Sequence, residues 1–225
     1  IPSDSALFDA FDQDFKASIE SYVILAKDYC LRHPNDPVGI IAAVMLLTIN
    51  YESLLETVPF IRKYMGPVVL NNSEIALYLR TVDNFYRTGP GAPIVDLPLG
   101  TLQGDTTLLS EQLLPDCYTL LHCWSGWCKP CLDEMPNLIK AYKTYHERGL
   151  NMVSIFLWDE PYNLPLLQND YQLPWTQLYD HSGQVSISYG IYSIPEIMLI
   201  APDRTIAARS LRGAELFSTL DSIFG

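Results

Sequence analysis

The stretch Tyr118-Thr119-Leu120-Leu121-His122-Cys123-Trp124-Ser125-Gly126-Trp127-Cys128-Lys129-Pro130-Cys131 decides how this chain is read. Its first half is rich in apolar and β-favouring side chains, which predicts a buried strand over 118–124. Its second half sets two cysteines three positions apart. Pro130 suits the first turn of a helix, where its missing N–H had no partner to lose. The cysteines therefore open a predicted helix over 128–148 and share one face of it, close enough for a disulfide. Unpaired N–H groups and the positive end of the helix dipole stabilise a thiolate there, so the Cys128 pKa is expected below that of a free thiol. Lys129 adds a neighbouring cation. A zinc knuckle is the competing reading, but a structural zinc site takes four protein ligands. Cys30, Cys117 and Cys123 supply no second pair at that spacing. The ligand count favours a redox dithiol with no metal and no organic cofactor.

Outward from this stretch the chain divides. Thr88-Gly89-Pro90-Gly91-Ala92-Pro93 holds two glycines and two prolines, and neither helix nor strand continues through it. We place a boundary there, with a helical domain over 1–90 and an α/β domain over 91–225. Before the break, helical periodicity covers 7–31, with Asp4 or Ser5 as its cap, then 37–49, 51–65 with a kink or break at Pro59, and 73–87. After it, strand-like runs at 94–97, 106–109, 118–124, 152–157, 196–200 and 206–209 alternate with helical stretches at 128–148, 163–171, 184–189 and 214–224. That alternation argues an α/β sheet. Pro98 is expected to end the first strand.

Composition narrows the partners. The 225 residues carry 14 Lys and Arg against 26 Asp and Glu, a net charge of −12, which repels phosphate backbones and anionic lipid. A nucleic-acid binder is excluded on that ground. The longest apolar run, Val38 to Ile49, stops at Asn50, short of the roughly 18 residues a membrane span needs. The chain opens on Ile1-Pro2 rather than Met, which reads as either a processed or a trimmed form, and no signal peptide is visible in it. The odd number of cysteines, 5, excludes a complete intramolecular disulfide framework. Cys30 and Cys123 read as buried small hydrophobes, and a Cys30–Cys117 bridge is conceivable.

Trp127-Cys128-Lys129-Pro130-Cys131, after a strand ending in Trp124, resembles the active site of the thioredoxin superfamily. The continuation Cys131-Leu132-Asp133-Glu134-Met135-Pro136-Asn137-Leu138 resembles the TlpA/ResA-like thiol-disulfide oxidoreductases. The likeness extends through Ser193-Ile194-Pro195 and Leu211-Arg212-Gly213, covering about 92–224. It implies a thioredoxin fold, a central mixed sheet flanked by helices with an added N-terminal β-hairpin, preceded here by an all-α helical domain. Members commonly are secreted or lipid-anchored. The resemblance therefore implies a periplasmic or outer-surface protein, its anchor or signal removed, with protein disulfides as substrates and a membrane or extracytoplasmic thiol as electron donor.

Roles follow from the same resemblance. Cys128 attacks, Cys131 resolves, and the redox-active disulfide between them is the only group that carries electrons. Glu134, one turn beyond Cys131 at the border of the apolar face, tunes the pair, and burial would raise its pKa. His122 stands where related proteins often keep a buried carboxylate. Either it moves protons, as a group titrating near neutrality can, or it is a neutral core histidine bonded to a backbone carbonyl. Pro195 is expected in cis opposite the cysteines, although sequence alone favours trans. Ile194 and Pro195 then offer backbone groups to substrate. Glu196 follows it and either repels acidic partners or points away. Trp124, Lys129 and Pro130 shape the loop, and Trp127 is a peptide-contact surface. Trp158-Asp159-Glu160-Pro161 is a candidate groove wall. A reductase is the favoured direction. An oxidase or isomerase, a non-enzymatic peptide-binding module and a peroxidase of related fold are the alternatives. Substrate identity and oligomeric state stay open.

Overall fold

The computed structural model of the chain describes residues 4–49 and 54–225, with side chains from residue 11 onward. It falls into two compact units, Ile1–Val82 and Asp83–Gly225.

The first unit holds α1 (Asp4–Arg32), α2 (Pro37–Ile49), α3 (Leu54–Tyr64), α4 (Pro67–Leu70) and most of α5 (Ser73–Arg87). Asp4 and Ser5, the expected caps, fall in the first turn of α1 with their side chains outside what is described, and the expected start of the third helix at Tyr51 lies outside the described residues. α1 and α2 pack together across a short turn. Asp36 caps α2 by accepting from the Val38 and Gly39 N–H groups at 2.8 and 3.1 Å. Gly39 is required there, because a Cβ would sit 1.8 Å from the His33 carbonyl oxygen. The break expected at Pro59 does not occur: α3 runs through it as one helix.

The second unit is built on one seven-stranded sheet. Its strands are β1 (Pro98–Thr101), β2 (Thr106–Leu108), β3 (Tyr118–Trp124), β4 (Leu150–Phe156), β5 (Thr176–Tyr179), β6 (Glu196–Ile200) and β7 (Ile206–Ala208), in the spatial order β2-β1-β5-β4-β3-β6-β7. β3, β4 and β5 run parallel, β6 lies antiparallel to β3, and β1–β2 form the added hairpin. β3 is central and alternates. Leu120 and Trp124 face α6 (Lys129–Tyr145) and α9 (Gly213–Phe224), while Leu121 and Cys123 face α8 (Gln184–Tyr189). α7 (Asn163–Tyr171) follows β4.

Four readings need correction. Residues 94–97 form no strand, because the hydroxyl of Tyr189 takes both backbone groups of Val95, at 3.0 and 2.9 Å, that a ladder would have used. Pro98 begins a strand instead of ending one, the position where its missing N–H is tolerated. β5 was not anticipated; its four residues are too short to show a period. The helix expected to reach residue 148 closes at Tyr145 and tightens into a 3-10 turn over 146–148.

Candidate active site

β3 delivers the chain to the C-terminal edge of the parallel strands, and residues 125–131 build the site there. The Ser125 hydroxyl donates to the Leu157 carbonyl, and the Leu157 N–H donates to the Trp124 carbonyl at 2.8 Å, which fastens the loop to the end of β4. The Gly126 N–H donates to Asp159 Oδ2 at 3.0 Å. A Cβ on Gly126 would fall 2.5 Å from Leu167 and 3.1 Å from Asp159, so glycine is what lets the 158–159 segment and α7 approach. Trp127 donates its indole N–H to the Trp158 carbonyl at 2.9 Å and leaves its ring exposed.

Cys128 is the N-cap of α6, and its Sγ accepts from the Cys131 N–H at 3.2 Å. A sulfur that already accepts a helix-terminal N–H is placed where a thiolate is stabilised. Cys128 and Cys131 are joined as a disulfide with Cα atoms 5.2 Å apart. Cys128 keeps 4% of its surface and Cys131 none, so Cys128 is the more accessible of the two. The Ile194–Pro195 bond is cis, and the Ile194 carbonyl oxygen lies 3.6 Å from Cys128 Sγ. The Arg212 guanidinium donates to the Pro195 carbonyl at 2.7 Å.

Glu196 points away from the cysteines. It is buried in an ion pair with Arg209 at 3.0 Å and also accepts from the Ser210 N–H. The same guanidinium donates to the carbonyls of Phe85, Thr88 and Tyr189, so one buried cation braces the segment behind the cis-proline. Lys129 is exposed and paired with Asp133 on its own helix; its charge is directed along α6. Pro130 occupies the first turn of α6, and Trp124 is core rather than rim.

Glu134 is half-buried, and its Oε1 accepts from the Gly213 N–H at 2.9 Å and from Asn137 at 3.2 Å. It thereby caps the start of α9, whose own N-cap, Arg212, supplies no side-chain bond. His122 is fully buried and stacked on Trp124, on the β3 face that packs on α6. Burial drives its pKa down to about 3, so the ring is neutral and the imidazolium is disfavoured. Its Nδ1 lies 3.2 Å from the Ser154 hydroxyl, not from a backbone carbonyl. The Trp175 indole, which can only donate, bonds the same Ser154 oxygen at 2.8 Å. The serine proton is then free to point at Nδ1, which leaves Nε2 as a buried nitrogen without a partner among the described residues.

Sequence reasoning passed over Ser154, Trp175 and Arg209. Ser154 had a signal, a lone hydroxyl within the apolar run 152–157. Arg209 and Trp175 had none, since their partners lie in distant segments. Cys30, Cys117 and Cys123 are free thiols, so the Cys30–Cys117 bridge is not formed. Burial raises the pKa of Cys30 to about 11 and that of Cys123 further, which keeps both unreactive. No helix among the described residues is long and apolar enough to cross a membrane.

Comparison with known proteins agrees with this geometry. The AhpC/TSA family model matches residues 89–209, more than half of the chain. The thiol-disulfide oxidoreductase ResA of Oceanobacillus iheyensis is 27% identical over 124 residues, 55% of this chain and 65% of that protein. The thiol:disulfide interchange protein CycY of Rhizobium leguminosarum is 29% identical over 110 residues, 48% of this chain and 58% of its own. The matched part thus spans about three-fifths of these relatives. Among solved structures, the thioredoxin domain of a thiol-disulfide oxidoreductase from Bacteroides vulgatus superposes with a TM-score of 0.55 at 23% identity, covering 60% of this chain and 98% of that one. The fold of residues in the second unit is that of thioredoxin.

Proposed function

This chain belongs to the AhpC/TSA family and is a TlpA/ResA-like member of the thioredoxin superfamily, and on that footing we propose that it exchanges thiols and disulfides with protein substrates through Cys128 and Cys131. The observation that carries the reading is the cysteine pair itself, disulfide-bonded, with Cys128 Sγ set on the N-terminus of α6.

In the reductive direction, the Cys128 thiolate attacks one sulfur of a substrate disulfide. A Cys128–substrate bond forms, and the other substrate sulfur leaves as a thiolate that takes a proton from water. Cys131, deprotonated, then attacks Cys128 Sγ. The internal disulfide forms and the second substrate thiol is released. Two electrons pass to the substrate, and an external thiol returns them to the pair.

Cys131 is buried and needs a base before it attacks. Glu134, one turn along α6, is the acceptor we favour. Its Oε1 is engaged by Gly213 and Asn137, so the proton would go to Oε2. His122, held neutral by burial, supplies no positive charge to the site. Ile194, Pro195 and Trp127 offer the surface on which a substrate segment lies. We place the protein outside the cytoplasm, as the TlpA/ResA likeness implies, with a thiol partner there as donor.

The test is equilibration of the Cys128–Cys131 couple in redox buffers, together with Cys131→Ser. A potential near thioredoxin's roughly −270 mV supports a reductase, and one near roughly −120 mV turns the direction to oxidation. Cys131→Ser is expected to accumulate a Cys128-linked mixed disulfide with a model protein substrate. Full function of a variant with both cysteines changed to Ala would instead leave a peptide-binding module.

A further inference from the structure

Along Gly126 and Trp127, the two residues that precede Cys128, lies a groove of about 420 Å³ with two kinds of wall. Trp127, Leu166 and Leu167 make it apolar, and Trp127 and Leu166, 62% and 63% exposed, put two large apolar side chains on one rim. Asp159 and Asp170 make it anionic, and no basic residue lines it. Asp159 is held in place by the N–H groups of Gly126 and Glu160 and by Asn163. Asp170 has no hydrogen bond or ion pair among the described residues. Lys129, the cation closest in sequence, is taken up by Asp133.

A side chain that suits both walls has a long apolar stem and a cationic head. Lysine and arginine are built this way, laying their methylenes along apolar surface while the charge meets a carboxylate. A guanidinium also stacks on an indole face. Trp127 lines the groove and directly precedes Cys128, and an extended substrate advances only about 3.3 Å per residue, so the occupant must sit close to the reacting cysteine.

We propose that this groove receives an arginine or lysine side chain of the substrate, within a few residues of the cysteine that Cys128 attacks. The proposal rests on the exchange reading above and adds the substrate class to it.

The experiment uses the reduced full chain and single-cysteine peptides disulfide-linked to a chromogenic aromatic thiol, identical except for Arg, Gln or Glu two residues from the cysteine. Second-order rates of thiol release are measured. The Arg peptide is expected to react about tenfold faster than the Glu peptide at low ionic strength, and the ratio is expected to shrink to roughly two- to threefold at high salt. Asp170→Asn should lower the ratio and Asp170→Lys should bring it to about one or below. Glu147→Gln, an exposed acid at the far end of α6, should leave it unchanged. Equal rates for the three peptides, a ratio indifferent to Asp170, or one that Glu147→Gln lowers equally would each overturn the groove. Failure to release thiol from any peptide would overturn the exchange reading instead.

Discussion

A fully buried histidine beside a single hydroxyl gains nothing from a proton. Folding holds His122 neutral down to about pH 3, whereas an unfolded imidazole takes up its proton near pH 6.5. Between those two values the unfolded state binds more protons than the folded one. Stability therefore falls as pH drops through this window, with no contribution from this group above it. The slope from one such group is at most roughly 1.4 kcal/mol per pH unit. His122→Leu is expected to flatten the unfolding free energy between pH 6 and 4 relative to the parent protein, read by urea denaturation. Parallel curves would show that His122 is not the excluded base. The cysteines were readable because strand, loop, Pro130 and spacing all lie within one short stretch. His122 was readable only as a position. Its state depends on Ser154, which reaches it through the parallel pairing of β3 with β4, and on Trp175, which donates to that Ser154 oxygen, and nothing local announces either.

Elements settle the surroundings of the site. Most of them are visible as patterns: β3 and β6 have the expected bounds, as do α2, α7 and α8. The misses have local causes that long-range contacts supply, as with Val95 taken by Tyr189 and with β5 too short to declare itself. The segment from β6 to α9 shows the same dependence. Glu196 follows the cis-proline and reads as a possible surface charge, yet Arg209 across the β6–β7 hairpin draws it inward. Breaking a buried ion pair on one side strands the other charge, which destabilises by about 3–5 kcal/mol. Arg209→Met is expected to lower the unfolding free energy by that amount, measured in denaturant. Adding Glu196→Leu should recover most of it. A double variant no more stable than the single would assign the effect to the carbonyls of Phe85, Thr88 and Tyr189 that the guanidinium also serves.

On the scale of the whole molecule, the residues of the candidate site lie in the second unit, and the charge of −12 sets the sign of the field a partner meets. The helical unit was readable as helices and gave no chemical signal of its own. One small feature of the site reaches the full fold. The atom that caps α6, Cys128 Sγ, which accepts the Cys131 N–H, is also the atom we propose as the nucleophile. Opening the disulfide changes the chemistry of that cap, and the helix it begins carries Met135, Leu138 and Ala141, which close one side of the sheet. Electron affinity and resistance to unfolding then become two readings of a single thermodynamic cycle. Whatever folding adds to the reduced form over the oxidised form must appear, converted to millivolts, as a shift of the couple away from that of the unfolded dithiol. Denaturation of the two redox forms side by side would yield that shift with no redox buffer at all, and the larger the stability gap in favour of the reduced form, the stronger an oxidant the pair would be.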